Sequence, residues 1–165
     1  MNHLMKTLLT LLLGVLSAHA ADLDFRSAKS SAVALVQVTE FLRERGYEPR
    51  VVDDACLITD RGLHLTHKPV NDPKGLDRIV VSFAFGGTGK PTPAKLKAIN
   101  ELNDIFNTCT ILLDENGDVI FRLNITFSDI LSEREHREFI AHIHAFLDHF
   151  MNDAKTQPLR DTIMR

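Results

Sequence analysis

The stretch that decides the fold is Arg78-Ile79-Val80-Val81-Ser82-Phe83-Ala84-Phe85. β-Branched and aromatic residues fill most of its positions, and these residue types are typical of strands. Gly86 and the glycines after it end the run. We therefore predict a central strand over 78–85 and place the other elements around it.

The segments before the central strand predict one helix and three shorter strands. Periodic apolar residues over 27–45 predict a helix that ends at Gly46. Short β-rich segments at 47–52, 56–59 and 63–67 follow, separated by turns. In the last of these, His64 and His67 fall on opposite faces, because side chains alternate along a strand, and the sequence gives neither a role.

The segments after the central strand predict a second helix and a hairpin. Thr92 is the candidate N-cap of a helix over 93–106. The next alternating segments predict a hairpin over 109–127 that turns at Asn116-Gly117. Asn-Gly is the strongest short hairpin signal, because both residues accept a positive φ.

The last predicted helix begins at Ser132. Glu135 follows three residues later, and this spacing is that of a capping box. Residues 153–165 are polar and contain Pro158, so we predict a frayed C-terminal tail. The order is therefore α-β-β-β-β-α-β-β-α, which predicts a two-layer α+β domain over 21–152 with an antiparallel sheet packed by helices.

Residues 1–20 have the three parts of a signal peptide. Lys6 supplies the positive charge, 8–16 is mostly apolar, and Ala18 with Ala20 provides the small residues before a cleavage site. The apolar run is shorter than the ~20 residues of a bilayer-spanning helix. We expect cleavage near Ala20, a periplasmic or secreted bacterial protein, and no membrane span thereafter. The alternative is an uncleaved anchor.

Charge and cysteine content limit the partners and the covalent chemistry. The chain has 19 Lys and Arg against 22 Asp and Glu, a formal charge of −3, so nucleic acid is not an expected partner. Its two cysteines, Cys56 and Cys109, either form a disulfide after export or stay as separate buried thiols. The sequence leaves both alternatives open.

Three motifs that suggest ligand binding do not fit their chemistry. The glycine cluster at 86–90 lacks the first glycine and the Ser or Thr of a phosphate-binding loop. The acidic turn at 114–118 has its glycine too early for a calcium loop. The histidines of the last helix are not spaced i,i+4, so they do not predict a zinc site; they are His136, His142, His144 and His149. No catalytic, cofactor-binding or metal-binding residues are predicted.

The segment Asn100-Glu101-Leu102-Asn103, at the end of the second helix, precedes a strand, the acidic Asn116-Gly117 turn, an alternating strand and the Ser132 helix. This arrangement over about 28–151 resembles the YbjN-like family of bacterial proteins, whose fold is similar to type III secretion chaperones. The resemblance implies a curved antiparallel sheet and a non-enzymatic, regulatory protein. Chaperones of that fold bind extended peptides along hydrophobic grooves, often as dimers.

We therefore expect an exported module that binds an unidentified protein or peptide and has no enzymatic activity or cofactor, with a homodimer as one arrangement. Asn100, Glu101 and Asn103 are expected to cap their helix or to tie it to the neighbouring strand. The alternative function is a metal- or pH-responsive periplasmic protein that uses the histidine-rich last helix. An enzyme with an unfamiliar site and a purely structural role are the remaining classes.

Overall fold

The computed structural model describes residues 21–28, 30–70, 76–86 and 90–164. The predicted signal peptide at 1–20 lies outside the described residues, as do 71–75 and the middle of the glycine cluster at 87–89. The described chain begins at Ala21, and Leu23 and Phe25 are already buried in the core.

The described part of the chain contains eight strands. They are β1 (Leu23–Asp24), β2 (Arg50–Val52), β3 (Ala55–Asp60), β4 (Leu63–Val70), β5 (Asp77–Phe85), β6 (Thr110–Leu113), β7 (Val119–Phe127) and β8 (Ile130–Leu131). Six of them form one sheet in the order β2-β3-β4-β5-β7-β6, and every neighbouring pair is antiparallel. This confirms the predicted α+β class and the central position of the 78–85 segment.

Four helices accompany the strands in the described ranges. They are α1 (Ser31–Glu44), α2 (Pro93–Ile105), α3 (Glu133–Asn152) and α4 (Gln157–Met164). The predicted caps are present: the side chain of Thr92 accepts from Lys95 N, and Ser132 and Glu135 form the reciprocal capping box. Gly46 ends α1 with a φ of 81°, which only glycine adopts at low cost.

The helix-facing side of the sheet forms the hydrophobic core. Strands β5 and β7 pair over nine residues, and every second side chain is buried in both strands, except for the half-buried Phe85 at the end of β5. Phe121 of β7 joins the two layers, because its ring stacks on Phe83 of β5 at 5.0 Å and meets the edge of Phe150 of α3 at 4.9 Å. Such aromatic pairs add stabilisation beyond the area they bury.

The structure has two elements that the predicted order omits, β1 and β8. They pair with each other, Leu23 opposite Leu131, and bring the start of the described chain against the start of α3. Two-residue strands carry too little periodicity to be recognised from sequence. Helix α1 is also shorter than predicted, because Ser30 is its N-cap.

The predicted frayed tail over 153–165 is wrong, since α4 forms there and packs on the domain. Thr156 and Ile163 are fully buried, and Arg160 Nη1 donates to the Phe150 carbonyl at 2.5 Å. Pro158 does not break this helix because it lies in the first turn, where its missing N–H needs no partner.

The predicted hairpin is confirmed, but its turn spans Asp114–Gly117, closed by the Gly117 N–H donating to the Asp114 carbonyl at 3.1 Å. Of the predicted Asn116-Gly117 pair, only Gly117 has a positive φ. Gly117 has a φ of 85°. The Asp114 carboxylate accepts from the backbone N–H groups of Asn116 and Asp118, at 2.9 and 2.8 Å. This carboxylate organises the turn, so the acidic segment has a structural role.

Asn103 closes one edge of the sheet. Its Nδ2 donates to the Ile111 carbonyl at 2.9 Å, and the Ile111 N–H donates to Asn103 Oδ1 at 2.7 Å. The outward backbone groups of Ile111 in β6 are thus paired by a side chain of α2, which blocks the addition of another strand at this residue. Asn100 and Glu101 are exposed, and Glu101 makes an i,i+4 ion pair with Lys97 at 3.7 Å.

We predict that Asn103→Ala lowers the free energy of unfolding by about 1–3 kcal/mol, because it leaves both backbone groups of Ile111 unpaired. Asn100→Ala is the matched control on the same helix and should change stability by less than about 0.5 kcal/mol. Urea denaturation of both variants measures the difference. Equal losses would show that the edge contact contributes nothing.

Candidate functional site

One side of the six-stranded sheet has no helix against it in the described part of the chain. We call this side the open face. Its side chains alternate with the core residues, and all but Ala55 are half-buried or exposed. The open-face positions are Arg50, Val52, Ala55, Leu57, Thr59, His64, Thr66, Lys68, Val70, Arg78, Val80, Ser82, Ala84, Thr110, Leu112, Ile120, Arg122, Asn124 and Thr126.

The centre of the open face is a groove of about 610 Å³, a size usual for a ligand site. Val80 of β5 forms part of its floor and is half-buried. The strand register places Lys68 and Asn124 on either side of Val80, on β4 and β7. The groove thus combines apolar floor residues with polar and charged groups around them.

The charged side chains at the open-face positions of the strands are all basic: Arg50, Lys68, Arg78 and Arg122. Asp53 and Asp54 of the β2–β3 turn line the margin of the groove. Lys68 Nζ lies 2.5 Å from Asp54 Oδ2, in the β2–β3 turn at the margin of the groove. This ion pair lowers the pKa of Asp54, chiefly through the hydrogen bond from Lys68. Among the described residues, Arg78 and Arg122 have no ion-pair partner.

The two edges of the sheet differ in access. The β6 edge is closed by Asn103, as described above. On the other edge, all three residues of β2 (Arg50–Val52) are exposed. A strand-adding partner therefore finds free backbone groups at β2, although a three-residue edge offers few of them.

A pair of buried histidines lies on the other side of the sheet. His67 of β4 and His136 of α3 are both almost fully buried, and their Nε2 atoms are 3.4 Å apart. Among the described residues, His67 Nδ1 has no hydrogen-bond partner. The backbone of Leu65 raises the pKa of His67 by less than burial lowers it. Burial lowers the pKa of His67 to about 4. Burial first, and then electrostatic repulsion from His67 and Arg45, lower the pKa of His136 to about 3.

The surroundings of this pair do not favour a positive charge. The Arg45 guanidinium lies over the Phe41 ring, whose plane is perpendicular to that of His136. A cavity of about 130 Å³ beside His136 is lined by Arg45, Tyr47, Glu133 and Arg137. The two arginines outnumber the one glutamate, so both imidazoles stay neutral at neutral pH.

A second histidine contact joins three elements near the end of β3. His144 Nε2 of α3 lies 2.6 Å from Asp60 Oδ2, and the Tyr47 hydroxyl donates to Asp60 Oδ1 at 3.3 Å. Burial, and then Asp60, raise the pKa of Tyr47. No hydrogen bond in the described structure joins a hydroxyl or thiol to the other nitrogen of His144.

The remaining histidines of α3 are exposed. His149 is 3.9 Å from Asp153, and His142 is on the outer surface. Within the described ranges, no three His, Cys, Asp or Glu side chains form a group suitable for a metal ion.

Cys56 and Cys109 are free, buried thiols in the structure. Strands β4, β5 and β7 lie between β3, which carries Cys56, and β6, which Cys109 precedes. Neighbouring strands are about 4.8 Å apart, so the two residues are separated by roughly 19 Å, against the ~7 Å limit for a disulfide. Of the two alternatives, the structure has the separate thiols. Burial raises the pKa of Cys109 to about 12.

From the sequence, His67 had no role, and this was wrong because it is buried against His136. His67 has the same parity along β4 as Leu63 and Leu65, which indicates that it faces the core. Its partner His136 is 69 residues away, and no local pattern links the two. The basic open face was also not predicted, because it depends on the register of four strands.

Comparisons with known proteins give no match: no protein-family model, no curated protein and no solved structure matches the chain. None of the helices in the described part of the chain is long and apolar enough to cross a bilayer.

We predict that acid destabilises the domain through the buried histidines. Their pKa values are lowered from 6.5, so below about pH 6.5 the unfolded chain binds protons that the folded chain does not. The contribution of the neutral histidines to the free energy of unfolding is therefore fully present above that pH. It falls as the pH decreases, by roughly 2 kcal/mol per histidine between about pH 7.5 and about pH 5. Urea denaturation at both pH values measures the loss.

His67→Leu removes one of the two titrating groups and should abolish about half of this pH dependence. His142→Gln, on the exposed side of α3, is the control and should leave the dependence intact. An unchanged pH dependence in His67→Leu would contradict the assignment.

Proposed function

We propose that this domain is an exported, non-enzymatic binding module that holds an extended protein or peptide segment on the open face of its sheet. One observation carries the proposal: helices cover one side of the six-stranded sheet, and the other side presents a groove of about 610 Å³ with an apolar floor and polar surroundings. An extended segment fits such a surface, because its alternate side chains point into the groove.

The resemblance to the YbjN-like family agrees with this proposal, since the related chaperone folds bind extended peptides. Export after cleavage near Ala20 is part of the same proposal, and nucleic acid is not a proposed partner. The exposed β2 strand offers a second contact, where the bound segment, or a second copy in a homodimer, can pair with the free edge.

A second candidate is an acid-responsive protein, and the buried His67–His136 pair favours it. Protonation of either imidazole would place a charge in a buried site next to Arg45. The pair lies between β4 and α3, so acid would loosen the contact of the sheet with its longest helix.

Selection of displayed random peptides on the purified domain tests the binding function. We expect the selection to enrich peptides that bind the wild-type protein. These peptides should not bind the Ser82→Trp variant, because a bulky side chain at this position obstructs the groove. Ala141→Trp is the matched control, since Ala141 is exposed on the helix layer. It should retain every selected peptide.

Two outcomes would overturn the proposal. One is the absence of any enriched peptide. The other is that Ser82→Trp leaves binding unchanged while Ala141→Trp abolishes it, which would move the site to the helix layer.

A further inference from the structure

We infer that the segment bound on the open face is acidic, and that its carboxylates pair with Arg78 and Arg122. This inference rests on the proposed function and adds the chemistry of the partner.

The distribution of charge is the first argument. The four basic side chains of the open-face strands have no acidic counterpart among the strand positions of that face. Asp53 and Asp54 of the β2–β3 turn also line the groove, so the formal net charge of −3 divides into +2 on the open face with this turn and −5 on the rest of the chain. Such a separation of charge attracts an anionic partner to one surface and repels it from the others.

The register of the basic residues is the second argument. Arg78 is paired with Thr126, and Arg122 is four residues away from Thr126 on the same strand. The two arginines are therefore roughly 13 Å apart along the strand direction. In an extended peptide, residues i and i+4 point to the same side with the same spacing. Val80 lies between the arginines and can receive the apolar residue at i+2.

Lys68 supplies the third argument, because it already holds a carboxylate. Its Nζ pairs with Asp54 at 2.5 Å, at the margin of the groove. The chain thus contains an example of the contact that we assign to the ligand. Arg78 and Arg122, which have no such partner in the described part of the chain, each present a planar guanidinium that binds a carboxylate through two hydrogen bonds.

Single-stranded nucleic acid is the other class of anionic partner, and the open face disfavours it. Proteins bind single strands by stacking bases on aromatic rings as well as by charge. No open-face position holds an aromatic residue other than His64. The phosphates beyond the groove would also meet the acidic remainder of the surface.

Fluorescence anisotropy with synthetic peptides tests the inference. The probe is a labelled peptide of repeated Glu-Ser-Val-Ser, so that Glu and Val alternate along one side of the extended chain, and its matched controls have Gln or Lys in place of Glu. We expect the Glu peptide to bind at least tenfold more tightly than the Gln peptide, because it gains one net charge-assisted contact. Added salt should weaken the binding of the Glu peptide. The Lys peptide should not bind.

Charge reversal on the protein locates the contact. Arg122→Glu and Arg78→Glu should each lower the affinity for the Glu peptide at least tenfold. Arg122→Glu should also bind the Lys peptide more tightly than the wild type does. Lys155→Glu makes the same charge change on the exposed helix layer and should leave the affinity unchanged.

The outcomes separate this inference from the proposed function. If the Gln and Glu peptides bind equally and Arg122→Glu has no effect, the acidic partner is contradicted, while peptide binding stands. If an oligothymidylate binds more tightly than the Glu peptide, the partner class is wrong. If neither these synthetic peptides nor the displayed random peptides bind, both proposals fail.

Discussion

The structure depends on the strict alternation of side chains along the paired strands β5 and β7. Buried residues of both strands face one way, towards α3, and the intervening residues face the other way. A shift of one residue in this pairing would turn Phe83 and Phe121 outwards and destroy the core. The same alternation leaves the second side of the sheet without a covering layer in the described structure, so the core and the candidate site are two consequences of one register.

The core side also contains the polar groups that respond to pH. Burial of His67 and His136 is compatible with folding only while both imidazoles are neutral, since an unpaired charge there has no solvation. The open face has the opposite character, because its basic side chains are exposed. A response to acid would therefore act on the stability of the domain, and a response to salt would act on ligand binding.

Much of the fold was predictable because its signals are local. The Asn116-Gly117 hairpin, the Gly46 helix end and the Ser132–Glu135 capping box each depend on a few neighbouring residues. The features that escaped prediction depend on contacts between distant segments. The β1–β8 pair joins the two halves of the described chain, α4 is held by Phe150 and the core, and His67 meets His136 across 69 residues.

The candidate site was less predictable than the fold for a related reason. Arg78 and Arg122 are 44 positions apart in the numbering and come together only because β5 pairs with β7, and Lys68 joins them only through the pairing of β4 with β5. Asn103 is the exception. The sequence left open whether it caps its helix or ties it to the neighbouring strand, and the structure has the tie.

The central claim is that the uncovered side of the sheet is the surface that acts. An amide-resolved NMR titration of the protein with the Glu-Ser-Val-Ser peptide tests it most directly. The account predicts that chemical shifts change along β4, β5 and β7, centred on Lys68, Val80 and Arg122, while α3 and α4 stay unperturbed. Perturbations confined to the helix layer would contradict it.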